Sequence, residues 1–159
     1  MPLEHRAVLP LRACLVVLFA ILVLFQTLSM PGQFAHMADE SPDLAHLRWP
    51  LTAAAIFWIL CVQAVIVCTW RLLGMVRDDR IFTDAALPWV DAIVVAIASA
   101  WVVLLAVLVG LAPVWDDPGL PLLLTLMLVG VAVLGLLMVV MRALLRQATA
   151  LRTDMDGVI

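Results

Sequence analysis

The chain has 159 residues, of which 66% are hydrophobic and only 13% charged, with a net charge of −3 and a mean hydropathy of +1.17. A soluble domain is about half apolar and about a quarter charged, so this chain carries more apolar surface than a water-exposed fold of its length can hide, and lipid must take the remainder. Nucleic-acid binding through a basic face is disfavoured, because the arginines are scattered at the ends of apolar runs.

Lysine, asparagine and tyrosine are absent. All three are read from AT-rich codons, which points to a GC-rich bacterial genome, and without asparagine there is no N-glycosylation site. Cys14, Cys61 and Cys68 all lie inside apolar runs and form no CxxC pair. They read as packed apolar thiols rather than as a disulfide or redox centre.

Met1 to Pro10 is a short polar lead with Arg6, and Arg12 follows it. Leu11 to Met30 is the first apolar run, long enough at ~1.5 Å per residue to cross a ~30 Å hydrocarbon core. It is longer than the apolar part of a secretory signal, and no A-x-A cleavage site follows, so it reads as a retained helix. Pro31, which cannot donate a helical hydrogen bond, is expected to end it. The segment to Pro50 reads as an outer loop, with Asp39, Glu40 and Asp43 against a single Arg48. His36, Asp39, Glu40 and His46 are of the right types to hold zinc. Their spacing matches no finger or helix pair, and the reading is a solvated loop.

Trp49-Pro50 opens the second span, Leu51 to Leu73, and Gly74 is the expected stop. Phe57, Cys61, Ala64 and Cys68 recur at helical spacing as a packing stripe. Gln63 is the lone strong polar group of this run. Its amide would be costly in lipid unless bonded to a neighbouring helix, so it reads as helix-to-helix glue rather than a ligand contact.

Arg71, Arg77 and Arg80 mark the hairpin that follows as cytoplasmic. Thr83 is the expected N-cap of the next helix, with Asp84 favoured by the helix dipole. Pro88 should kink or restart that helix after a short turn from Asp84 to Leu87. The third span runs from Trp89 to Leu111. Asp91, one turn inside it, is placed to pair with Arg71, Arg77 or Arg80, or simply to reach the interface. Ala92, Ala96 and Ala100, with Ser99 beside them, form a small-xxx-small stripe suited to close helix packing.

Ala112 to Pro118 is a tight outer turn with Asp116 and Asp117. The fourth span runs from about Gly119 to Met141, and the tail 142–159 continues as helix beyond it. Leu145, Ala148, Leu151 and Met155 could line one apolar edge of that tail, for the membrane surface or a partner, with Arg142 and Arg146 turned elsewhere.

These runs give an all-α fold: a polytopic membrane protein, a single domain over residues 1–159 built as a four-transmembrane-helix bundle. With both termini inside, Arg6, Arg12, Arg71, Arg77, Arg80, Arg142, Arg146 and Arg152 are cytoplasmic and only Arg48 is outside, which fixes the orientation. Trp70 and Trp89 flank the inner interface, Trp49 and Trp115 the outer one, while Trp58 and Trp101 lie deeper between helices.

Chemistry is sparse. No histidine lies in any span, which removes bis-histidine haem, and Met138 and Met141 read as packing. The acids sit at the span edges, and no P-loop, GxSxG or HExxH pattern occurs. Neither an enzyme nor a bound cofactor or metal is expected.

The inner loop ending Arg80-Ile81-Phe82-Thr83 and the terminal stretch Leu151-Arg152-Thr153-Asp154-Met155-Asp156-Gly157-Val158-Ile159 carry a family resemblance. Together with the four spans, they make the chain, throughout its length, resemble the bacterial four-helix family catalogued as domain of unknown function 2975 (DUF2975). The resemblance implies an inner-membrane protein without assigned activity and no catalytic residues to carry over. Family genes often neighbour a small helix-turn-helix regulator, which implies at most a membrane-tethered regulatory pair.

Three functions are open. The first is a non-enzymatic regulatory or interaction module, docking a cytoplasmic partner through Arg77, Arg80, Phe82, Thr83 and Asp91 and through Leu151, Arg152, Asp154 and Asp156. The second is a small transporter or immunity-type protein using Asp91 and Gln63 as polar contacts. The third is a structural subunit of a larger membrane complex, packed through Gln63, Ala92, Ala96 and Ala100. The expected surroundings are the lipid bilayer, a small helix-turn-helix regulator or another membrane subunit, with no direct nucleic acid and homo-oligomers left open.

Overall fold

Backbone amides inside hydrocarbon have no water to bond, so an apolar chain of this kind closes its own hydrogen bonds by coiling. The structure, a computed structural model, describes residues 2–30, 32–33, 35–36, 46–78, 80–81, 83–114 and 118–158, and their side chains except at 2–7 and 114. Among these residues the regular elements are all helical. They are α1 (Pro2–Leu24), a π turn (Phe25–Ser29), α2 (Arg48–Arg77), α3 (Leu87–Leu111), a 3-10 turn (Ala112–Val114) and α4 (Gly119–Gly157). Val8–Ser29, Arg48–Arg77, Leu87–Leu111 and Gly119–Gly157 are each long and apolar enough to cross a membrane. The molecule is an all-helical membrane protein with four such helices.

The helices outrun the expected spans. Residues 2–10 are already helical rather than a polar lead, with Pro10 inside α1 at the loss of one ladder bond. Gly32, Gln33, Ala35 and His36 are helical too; Pro31, where the first helix is expected to end, and Asp39, Glu40 and Asp43 lie outside the described residues. Gly74 does not stop α2, which continues to Arg77, and the Asp78 N–H bonds to the Gly74 carbonyl at 3.1 Å. Gly74 faces α1, where a Cβ would make ordinary contact with Arg12 Nη2 at 3.6 Å.

Thr83 is not an N-cap. Its hydroxyl donates to the Arg80 carbonyl at 2.6 Å, and its carbonyl accepts the Ala86 N–H at 3.0 Å, closing a tight turn. Ala86 occupies the cap position without a side-chain bond. Pro88 falls in the first turn of α3, where its missing N–H would have had no partner, so it starts the helix without kinking it.

The four helices stand in an antiparallel row. Arg12 lies against Trp70, and Gln26 against Gln63, which sets α1 beside α2. Cys61 meets Ser99 and Arg71 meets Trp89, which sets α2 beside α3. Asp91 meets Arg142, and a Cβ on Gly135 would lie 3.2 Å from Ile97 Cγ2, which sets α3 beside α4. The α2–α3 and α3–α4 contacts are extensive, the α1–α2 contact is smaller, and among the described residues no comparable packing joins α1 to α4. Among the described residues the four-helix arrangement is thus more open between α1 and α4 than between the other neighbours.

Burial follows from this order. The most apolar windows of α1 and α4 bury none of their residues, whereas 28% and 22% of those of α2 and α3 are buried. The middle helix α2 has two seams: Ile59, Gln63 and Ile66 on one, Cys61 and Cys68 on the other. The expected single stripe is corrected accordingly, since Phe57 and Ala64 are exposed. On α3 the packed stripe is Val90, Ile93, Ala96, Ala100 and Leu104. Ala96 and Ala100 pack as expected, but Ala92 is exposed, because the neighbours flank a face that runs through Ile93 instead.

Candidate functional site

The polar side chains converge on the end of the row that holds the start of α1, the α2–α3 connection and the emergence of α4. There Arg142 on α4 meets Asp91 on α3 in a two-pronged pair, Nε to Oδ1 and Nη2 to Oδ2 at 3.0 Å. The planar guanidinium matches the carboxylate fork, which fixes orientation as well as charge. Both side chains remain about two-fifths exposed. This corrects the expected partner of Asp91, which is none of Arg71, Arg77 and Arg80, and it corrects the expectation that Arg142 turns away. In an antiparallel row the residue one turn into α3 faces the residue about to leave the apolar part of α4, and Arg142 is that residue.

Two further arginines lie over indole rings. The Arg12 guanidinium carbon sits 5.2 Å from the Trp70 ring centre, and that of Arg71 sits 5.5 Å from Trp89. Each ring joins neighbouring helices, α1 to α2 and α2 to α3. Indole faces attract cations, and more strongly where water is thin. The two tryptophans read from the sequence as interfacial are thus also the seats of the arginines. At the opposite end Arg48 lies over its own neighbour Trp49, at 5.6 Å.

Arg77 and Arg80 are exposed at the α2–α3 connection, and Thr83 is half-buried in its turn. Phe82 lies outside the described residues. The connection is pinned by the Arg80 N–H bonding to the Met75 carbonyl at 2.8 Å, and Ala86 is fully buried. Leu151, Asp154 and Asp156 are exposed on the last turns of α4, and Arg152 is half-buried. Thr149 is 5% exposed. With Asp91 level with Arg142, Thr149 stands about 10 Å further along α4, at the height of the α2–α3 connection. The two candidate docking elements therefore share one end of the row.

Gln63 bonds across helices as expected. Its Nε2 donates to Gln26 Oε1 at 3.2 Å, joining α2 to α1. Gln26 sits in the π turn, where one extra residue per turn re-aims the side chains that follow. Sequence periodicity missed Gln26, because a regular helix leaves its facing direction undetermined. On one side of the row, α2, α3 and α4 enclose an open apolar groove of about 530 Å³, lined by Trp58, Cys61, Ile93, Ala100, Leu134 and Met138 among others. The indole nitrogens of Trp58 and Trp101 are shielded and bond to nothing among the described residues.

Beyond residue 31 the chain has a family counterpart: the model described as "Protein of unknown function (DUF2975)" matches residues 32–159. The chain belongs to this family. The DUF2975 match takes in α2, α3, α4 and both candidate docking elements but not α1, so the extent is narrower than the expected whole-length likeness. No curated protein and no solved structure matches the chain. The Asp91–Arg142 pair lies within the DUF2975 region, whereas Arg12 and Gln26 lie outside it.

Proposed function

We propose that this DUF2975 protein is a non-enzymatic regulatory or interaction module of the bacterial cytoplasmic membrane, with both termini inside, that docks a soluble cytoplasmic partner. The arginine distribution supports the orientation. The docking elements are the α2–α3 connection and the end of α4. The observation that carries the reading is the length of α4, which runs unbroken over 39 residues. At ~1.5 Å per residue it extends roughly 58 Å, about twice the ~30 Å hydrocarbon core. Its outer half ends in Leu151, Met155 and Val158, which are 65%, 69% and 88% exposed. An apolar edge on a projecting helix suits a groove on a folded partner. The DUF2975 resemblance favours a small helix-turn-helix regulator in that role.

Crosslinking in native membranes, followed by identification of what is captured, tests this. Removal of residues 151–159 should abolish capture while insertion stays intact; capture unchanged by the deletion counts against the reading.

A second reading is a structural subunit of a larger complex. It is favoured by the outer helices, whose most apolar stretches bury nothing. The transporter reading loses support, because Asp91 and Gln63, the polar contacts it relies on, are engaged with Arg142 and Gln26.

A further inference from the structure

We propose that α1 and α2 together hold one anionic glycerophospholipid, with its phosphate on Arg12 and Arg71 and an acyl chain in the groove between the two helices.

Three observations meet here. The first is the groove itself, about 340 Å³, lined by Leu15, Val16, Phe19 and Ala20 of α1 and by Ile66, Val67, Trp70 and Arg71 of α2. Because the helices are antiparallel, Leu15 stands near Arg71 and Phe19 near Val67. The apolar lining thus runs into the membrane, and the charge stands at the arginine-rich end. That polarity is the polarity of a phospholipid.

The second is charge. Among the described residues no carboxylate pairs with Arg12 or Arg71, whereas Arg142 a short way along the row has Asp91. Both arginines are held instead by indole faces. A ring orients a guanidinium without neutralising it, so its N–H edge stays available for a phosphate. The third is Arg12 Nε, which is shielded from solvent and has no hydrogen-bond partner among the described residues. A buried donor of a charged group without an acceptor is costly, and a phosphate oxygen would supply one. Basic pockets between membrane helices are where anionic head groups bind.

The site depends on α1 and is independent of the partner reading, so either can fail alone. The test uses the full chain, purified in detergent, with phosphatidylglycerol and phosphatidylcholine of the same acyl chains as probes and native mass spectrometry as the readout. The unaltered chain should retain one phosphatidylglycerol in preference to phosphatidylcholine. Arg12→Gln and Arg71→Gln should each weaken that retention about five-fold, the equivalent of ~1 kcal/mol per arginine, while Arg146→Gln leaves it unchanged. Ala20→Phe, which fills the groove and leaves both arginines in place, should also displace the lipid. Equal retention of the two lipids by the unaltered chain overturns the proposal without any variant having to fold. So does retention that survives both arginine substitutions. Displacement by Arg12→Gln but not by Ala20→Phe, or competition by inorganic phosphate at matched concentration, reduces the site to a free-anion site and overturns the lipid assignment.

Discussion

Arg142 clasps Asp91 through two nitrogens, although the residues stand 51 positions apart in the chain. The pair ties α4 to α3 where α4 leaves its most apolar stretch. Removing either partner leaves a charge without its complement at the edge of the hydrocarbon. Asp91→Asn and Arg142→Gln should each lower the melting temperature of the detergent-solubilised protein by a few degrees. The exchange Asp91→Arg with Arg142→Asp should recover part of that loss, whereas Arg80→Gln, at an exposed position without an ion pair among the described residues, should change little. Melting curves that show no recovery in the exchanged protein would mean that the two side chains do not act as a tether.

The Gln63–Gln26 bond predicts a non-additive pair. Gln63→Leu strands the Gln26 amide in an apolar setting and should cost about 1 kcal/mol, within the range measured for interhelical hydrogen bonds in membranes. Replacing both glutamines with leucine removes donor and acceptor together and should cost less than the single change. Unfolding in mixed micelles reads the difference, and a double variant that costs as much as the two singles together would contradict the bond.

Two glycines of α4 should respond in opposite ways. A Cβ on Gly135 would come within 3.2 Å of Ile97 Cγ2, and one on Gly130 would meet nothing within 4 Å. Gly135→Leu therefore forces α4 off α3 and should cost about 1–3 kcal/mol. Gly130→Ala should be neutral or slightly stabilising, since it removes a flexible residue from a helix. Thermal unfolding of the two variants side by side checks both.

The orientation can be read with a single new thiol. Cys14 lies in α1 and Cys61 and Cys68 in α2, all within apolar stretches, so a membrane-impermeant maleimide should pass over them. Val158→Cys is exposed at the end of α4. It should be labelled only after the cells are opened. Labelling in intact cells would reverse the proposed sidedness and, with it, the cytoplasmic docking reading.

The four long apolar helices were legible because each needs only a run of apolar residues of the right length, a property of the local chain. The small residues of α3 were legible in the same way, and the position of their seam was not. Burial of Ile93 and exposure of Ala92 depend on where α2 and α4 stand, which no single helix encodes. Asp91 was recognisable as an ionisable group needing a cation, but three arginines nearer in sequence competed for it. Only antiparallel register, which brings residues of α3 and α4 level across the membrane, singles out Arg142. Gln63 was recognisable as needing a partner, and its partner was hidden by the π turn. Thr83 misled because α3 begins only at Leu87, which puts Ala86 at the cap position and leaves the Thr83 hydroxyl to donate to the Arg80 carbonyl within the turn.

The row of helices has one more consequence. Because, among the described residues, α1 packs mainly on α2 and shares little with α4, a single copy presents a two-sided row. It is a wall, and lipid can wet it on both faces. Any solute that crossed the bilayer in contact with one copy would creep along a surface instead of passing down a pipe, so a conduit would require a second wall set against the first.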